Sequence, residues 1–186
     1  EFLDTLEPFG LKRETMFPVY GLAEASLAVS FSEPVSEMIT LSLDRRSLKT
    51  GGKVKDASDK KNSISFVDVG ASVEKCLLKI VDDNGNSLKD DFIGHILIKG
   101  DNVTSGYYNN KTATSQTITP GGWLKTGDLG FQRNGNLYIT GRAKDILFVN
   151  GQNYYSHDIE RLAEELDGIE FEKIAVCGAF DSVLET

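Results

Sequence analysis

The chain has 186 residues, 40% hydrophobic and 26% charged, the balance of a globular protein of one medium domain or slightly more. A formal net charge of −8 argues against nucleic acid as a partner, and no apolar run approaches the length of a transmembrane segment. The charge is uneven: Asp44 to Ser63 holds seven of the twenty basic residues and only three acids, a pattern that reads first as a solvated loop. No leader pattern is present. Cys76 and Cys177 lie in apolar runs without metal spacing and are expected as buried core thiols, so the expected setting is reducing and cytoplasmic. The first residue is Glu and the last five carry no helix-end signal, so the chain is expected to be an internal piece of a longer protein.

In chain order, Glu1 to Arg13 reads as the end of a helix broken by Pro8 and Gly10. Thr15 to Val19 reads as extended, and Leu22 to Phe31 as helix or strand without a deciding period. Ile39, Leu41 and Leu43 alternate like a short strand, and Thr50 to Asn62 has no core-forming pattern and is expected to be mobile. Short strands follow at Ser65–Val69, Lys75–Val81 and Gly94–Lys99, then Trp123–Gln132 and Leu137–Thr140 joined through Asn134-Gly135. Together they predict a small antiparallel sheet or partial barrel. Ile146–Val149 reads as a further strand ended by Asn150-Gly151. Ser156 is placed to cap a helix whose buried face carries Ile159, Leu162, Ala163 and Leu166. Lys173 to Ala179 reads as a strand after it. A domain boundary is expected near Lys144, where strands give way to a strand–helix–strand pattern.

The stretch Gly121 to Asp145 carries the most chemistry. Asp128 and Arg142 are expected on neighbouring strand ends of one hairpin, where a carboxylate and a guanidinium could grip a ribose and its phosphate. Taken alone, Asp128 reads more simply as a turn residue, and Arg142 as surface. Tyr20-Gly21-Leu22-Ala23-Glu24 pairs an aromatic ring and a glycine with a carboxylate suited to a hard metal ion; in isolation Tyr20 reads as core and Glu24 as surface. Trp123 is expected as a core or barrel-lid aromatic, and His95 and His157 have no carboxylate or nucleophile at informative spacing.

The order of these segments is more specific than any one of them. Tyr20 to Glu24, Gly106-Tyr107-Tyr108, Gly122-Trp123-Leu124-x-Thr126-Gly127-Asp128 and Gly141-Arg142-x-Lys144-Asp145 follow one another as they do in the adenylate-forming (AMP-binding) superfamily, which the chain resembles over nearly its whole length. Within it, YGLAEASLAVS from Tyr20 to Ser30 and GQNYYSHDIE from Gly151 to Glu160 resemble fatty acyl-AMP ligases. The polar stretch of about 33–62 falls where that subfamily carries an insertion.

The resemblance implies a mixed α/β fold: residues 1–143 as the C-terminal part of the large AMP-binding domain, with a β-rich subdomain at 65–142, and 144–186 as hinge and start of a small α+β domain. It implies ATP or AMP and Mg2+ as cofactors. Tyr20 would stack on adenine beside Gly21 and Leu22, Glu24 would hold magnesium, Asp128 the ribose hydroxyls, Arg142 the ribose and phosphate, and Ile139 would pack on the nucleotide. Lys144 would be the hinge. The implied reaction joins a fatty acid to AMP with release of pyrophosphate, for transfer to an acyl carrier protein. The superfamily's phosphate loop and catalytic C-terminal lysine have no counterpart in these residues, so the chain alone is expected to be inactive. Many CoA-forming relatives carry Lys where this chain has Phe148. A long-chain acyl-CoA synthetase is the alternative within this chemistry. A non-catalytic β-rich module that docks an acidic carrier protein through Lys53 to Lys61, and a degenerate nucleotide binder, are the others.

Overall fold

In a computed structural model, residues 2–149, 152–170 and 173–178 are described. The chain divides into two compact units, Glu1–Thr140 and Gly141–Thr186. The architecture is mixed α/β and strand-rich, as expected, with antiparallel sheets and no closed barrel among the described residues. Among the described residues, no helix is long and apolar enough to cross a membrane.

The first unit opens with a short helix, α1 (Phe2–Leu6), and then carries strands β1 (Val19–Tyr20) and β2 (Ser30–Phe31). The run from Leu22 between them is neither helix nor strand throughout: it forms one 3-10 turn at Ala23–Ala25 and then strand only at Ser30. Strands β3 (Thr40–Asp44) and β4 (Ser63–Val67) pair from Thr40↔Val67 to Asp44↔Ser63. A two-residue strand, β5 (Ala71–Ser72), pairs with β2 and completes a three-stranded sheet β1-β2-β5.

The main sheet has the order β6-β7-β8-β9, from β6 (Cys76–Val81), β7 (Gly94–Gly100), β8 (Leu124–Arg133) and β9 (Asn136–Arg142). Between β7 and β8 lies helix α2 (Lys111–Thr117), capped by the Asn110 side chain, which accepts from the Ala113 N–H at 3.0 Å. Alternation explains the sheet's two faces. Cys76 and Ile80 of β6, and Ile96 and Ile98 of β7, point into one apolar cluster with Tyr20, Ala25, Val29, Leu124 and Leu137. Leu77 and Lys79 fall on the other face. Burial pushes the Cys76 thiol above its usual range, as a core cysteine should behave.

Three turn positions depend on backbone form. Asn134 and Gly135 both take positive φ, +54° and +84°, which suits the two-residue hairpin between β8 and β9. At Gly70, φ is +78° and a Cβ would sit 1.7 Å from the Phe31 carbonyl oxygen, so the chain crosses β2 where only glycine fits. Asp68 fixes this crossing. Its buried carboxylate accepts from the Gly70 N–H (2.7 Å), the Asn136 amide (2.8 Å) and the Tyr138 hydroxyl (2.9 Å). Burial, then the hydrogen bond to Asp68 and its charge, push the Tyr138 phenol well above its usual range.

The basic stretch is more ordered than its composition suggests. Gly51 N–H donates to the Ile93 carbonyl and Val54 N–H to the Asp91 carbonyl, at 2.7 and 2.8 Å. Leu48 and Val54 are buried. Arg133 at the end of β8 bonds both Asp91 (2.6 Å) and Asp56 (2.8 Å), tying the stretch to the sheet. The lysines are solvated, as charge predicts, but buried Val54 and the Gly51 and Val54 backbone bonds anchor the first part of Thr50 to Asn62, the stretch expected to be mobile.

In the second unit, β10 (Ile146–Val149) and β11 (Gln152–Tyr155) form a hairpin in the register Ile146↔Tyr155 to Val149↔Gln152. Its expected turn, Asn150-Gly151, lies outside the described residues. Helix α3 (Ser156–Glu164) follows, but the cap position is Tyr155 and Ser156 is the first helical residue, with no side-chain cap bond. The expected buried face is also corrected: Leu162 and Leu166 are exposed. Residues 173–178 contain no strand, and Val176 N–H instead donates to Glu160 Oε1 at 2.8 Å. Cys177 is exposed, not buried. Periodicity identified the helix but not which of its residues are covered.

The contrast between two glycines gives a test of this fold. Gly85 has φ +83° and open space around it, so Gly85→Ala should cost only the left-handed strain of about 1 kcal/mol. Gly70→Ala adds the clash with the Phe31 carbonyl and should cost at least about 3 kcal/mol. Urea unfolding of both variants measures the difference; equal losses would contradict the crossing at β2.

Candidate functional site

The site is built around an irregularity in β8. His95 pairs with Leu129 and Leu97 with Lys125, so two steps along β7 are matched by four along β8. The extra residues fall at Thr126-Gly127-Asp128, a β-bulge. Gly127 takes φ +83°, which lets the strand kink. The Thr126 hydroxyl donates to the Ile96 carbonyl (3.0 Å), which lies within the span the ladder skips, and accepts from the Asp128 N–H (3.1 Å). Asp128 is thereby re-aimed. It sits inside the strand, not at a strand end as expected from the sequence, and it does not act as a simple turn residue.

The Asp128 carboxylate accepts from the Tyr20 hydroxyl at 2.5 Å, a charge-assisted bond between residues 108 positions apart. Both are buried, Tyr20 at 9% exposure and Asp128 at 8%. Tyr20 thus keeps the core position expected of it and gains a polar role. Gly21 is required where it stands: a Cβ there would lie 1.4 Å from the Leu27 carbonyl oxygen. Leu22 and Ile139 are partly buried against the same apolar cluster.

Glu24 lies on the 3-10 turn Ala23–Ala25 and is half-buried. The Tyr107 hydroxyl donates to its Oε1 at 2.8 Å. That bond, with some burial, raises the Tyr107 phenol above its usual range. The loop beyond Glu24 is strained, with Ser26 and Leu27 at φ +51° and +79°. The Asn102 amide holds it by donating to the Ala28 carbonyl (2.7 Å) and the Ala25 carbonyl (3.3 Å). Thr104 N–H donates to the Glu24 carbonyl at 2.8 Å. Asn102 and Tyr107 are partners that sequence reasoning missed. Gly106-Tyr107-Tyr108 marked the place, but only the fold shows that the loop reaches back to residue 24.

Arg142 is exposed at the end of β9, and Lys144 is exposed in the 3-10 turn Ala143–Asp145. Gly141, at φ +148°, lets Tyr155 approach: a Cβ would meet its ring at 2.8 Å. The side chains of Phe148 and His157 lie outside the described residues.

A cavity of about 680 Å3 opens on the outer face of the main sheet, lined by Lys79, His95, Leu97, Trp123 and Lys125 among others. Neither Tyr20, Glu24 nor Asp128 lines it. Trp123 is half-buried there under the Lys79 ammonium, 4.2 Å from the ring centroid, on the sheet's outer face. His95 does have a carboxylate partner: its Nε2 lies 2.9 Å from Asp83 Oδ1.

The Asp128 carboxylate is oriented by the Tyr20 hydroxyl, and its neighbour Gly127 has no atom within 4 Å of where a Cβ would be. Among the described residues, no group of three or more metal-ligating side chains occurs. A single carboxylate such as Glu24 fits magnesium nonetheless, since that ion takes one or two carboxylates plus substrate phosphates and waters.

No protein-family model matches the sequence. The chain is 35% identical over 197 aligned residues to a 4-hydroxyphenylalkanoate adenylyltransferase of Mycobacterium marinum, covering all of this chain and 32% of the relative. It is 33% identical to a medium-chain-fatty-acid–[acyl-carrier-protein] ligase of Moorena producens, covering 88% of this chain and 29% of that one. Among solved structures, a fatty acyl-adenylate ligase from a study of the Escherichia coli and Legionella pneumophila enzymes superposes with a TM-score of 0.81 at 34% identity, over 89% of this chain and 30% of that one. The chain spans about a third of the length of these proteins. The ordered motifs, the backbone and the relatives agree: the homologues and structural neighbours of this chain are fatty acyl-AMP ligases and adenylation domains of the adenylate-forming, AMP-binding superfamily.

Proposed function

We propose that this chain is the nucleotide-gripping end of the large domain, the hinge and the beginning of the small domain of a fatty acyl-AMP ligase. The observation that carries the reading is the Tyr20–Asp128 hydrogen bond, which joins two motifs 108 residues apart at one buried carboxylate. Asp128 binds the ribose hydroxyls. Tyr20 sets that carboxylate through its hydroxyl and borders the adenine with its ring, beside Gly21 and Leu22. Ile139 packs on the nucleotide, Arg142 contacts its ribose and phosphate side, and Lys144 is the hinge.

In the reaction, a fatty acid carboxylate oxygen bonds to the α-phosphorus of ATP as the bond to pyrophosphate breaks, giving acyl-AMP. No protein nucleophile is required, so orientation and charge neutralisation supply the rate. Glu24 is the residue that would hold Mg2+, whose charge neutralises the departing pyrophosphate. The acyl group then passes to an acyl carrier protein. The name of the Moorena producens relative supports that acceptor.

Three results test the reading in the full-length protein. Asp128→Ala should weaken ATP binding by about 100-fold, from loss of charge-assisted bonds, and Tyr20→Phe by about tenfold; calorimetry showing wild-type affinity in a folded Asp128→Ala protein would remove the assignment. Incubation with ATP, a fatty acid and CoA should accumulate acyl-AMP with little acyl-CoA, and abundant acyl-CoA would favour a CoA-forming synthetase. The isolated 186 residues should show no ATP–pyrophosphate exchange, and exchange by them would overturn the division of labour proposed.

A further inference from the structure

The loop from Asn102 to Tyr107 makes five hydrogen bonds with the loop around Glu24, and they converge. Asn102 holds the carbonyls of Ala25 and Ala28, and the Ser26 hydroxyl donates to the Asn102 carbonyl at 3.1 Å. Thr104 N–H holds the Glu24 carbonyl. Tyr107 reaches the Glu24 carboxylate, and among the described residues of this loop it alone does so.

Tyr107 is itself built into place. Gly106 takes φ +150°, and a Cβ there would lie 2.6 Å from Thr114 Cγ2 on helix α2. This close approach lets the Tyr107 N–H donate to Thr114 Oγ1 at 2.9 Å. The phenol is then carried across to Glu24 on a backbone fixed at its root. Among the described residues, the hydrogen bond to the Glu24 carboxylate falls on Oε1. No lysine or arginine pairs with this carboxylate among the described residues. The distinction matters physically. A cationic partner would neutralise the carboxylate and compete with a metal ion, whereas a neutral phenol orients it and leaves its charge available.

We propose that Tyr107 is a positioning residue that sets the Glu24 carboxylate for a hard divalent cation, one oxygen held by the phenol and the other presented to the metal. The inference rests on the reading of Glu24 as the magnesium-holding residue. It gives the Gly106-Tyr107 segment a role at the site: glycine for the approach to α2, tyrosine for the reach to Glu24.

The test measures binding, not turnover. In the full-length protein, ATP affinity is titrated by calorimetry across Mg2+ concentrations, and AMP affinity is measured in a chelator. Tyr107→Phe keeps the ring and should raise the Mg2+ needed for half-maximal ATP binding about fivefold, with metal-free AMP affinity unchanged. Glu24→Gln should raise it further, and adding Tyr107→Phe to that variant should then change nothing more. A normal Mg2+ dependence in Tyr107→Phe, alongside a raised one in Glu24→Gln, would overturn the role of Tyr107 alone. A normal dependence in Glu24→Gln would remove Glu24 as the metal-holding residue, and the Tyr107 proposal with it. Equal losses of ATP and metal-free AMP binding in Tyr107→Phe would show a merely structural tyrosine and overturn the proposal.

Discussion

Everything at the candidate site depends on how a buried carboxylate is satisfied. A carboxylate removed from water costs several kcal/mol unless it is bonded. Asp128 meets that cost with the Tyr20 hydroxyl, and it can do so only because β8 bulges at Gly127. A regular strand would keep Thr126, Gly127 and Asp128 in register with β7, and the period of two would fix which face Asp128 occupies. The bulge releases it, and Thr126 repairs the break by bonding Ile96 and the Asp128 amide. The sequence Thr-Gly-Asp is therefore a small mechanical device, in which a patch, a kink and a re-aimed charge occupy consecutive positions.

The other half of the bond is held just as firmly. Tyr20 lies on a strand of only two residues, too short to be stable by its own ladder. Its neighbour β2 is fixed by pairing with β5, and the Ser30 hydroxyl donates to the Val69 carbonyl at 2.8 Å. Val69 follows Asp68, whose carboxylate gathers Gly70, Asn136 and Tyr138. Tyr138 lies on β9 and stacks on Phe131 of β8, the strand that carries Asp128. A closed circuit of short contacts thus runs from β8 through β9, Asp68 and β2 to Tyr20 and back. Preorganisation of this kind lowers the ordering cost that a ligand would otherwise meet on binding.

Much of this was legible in the sequence, for reasons that differ by residue. Strand positions, the Asn134-Gly135 hairpin and the helix beginning near Ser156 follow from period and turn chemistry, which are local. The ordered motifs were legible because a superfamily repeats them. What stayed hidden was long-range. Nothing near Glu24 announces Tyr107, and nothing near His95 announces Asp83, because each pair is joined only by strand pairing or loop packing. The bulge was hidden too, since a Gly inside a strand reads equally as a weak point. Composition misled at Thr50 to Asn62, where Val54 is one apolar residue among lysines yet is buried. It misled again at Cys177 and at Leu162, whose apolar neighbourhoods do not by themselves supply covering atoms.

The most direct test of the central claim alters the ligand and the protein together. Wild-type full-length protein should bind AMP far more tightly than AMP lacking both ribose hydroxyls, by about 100-fold if two charge-assisted bonds are lost. Asp128→Ala should bind the two nucleotides alike, because the hydroxyls then have no carboxylate to meet. A variant that still discriminates between them as the wild type does would contradict the account, and would place the ribose away from Asp128.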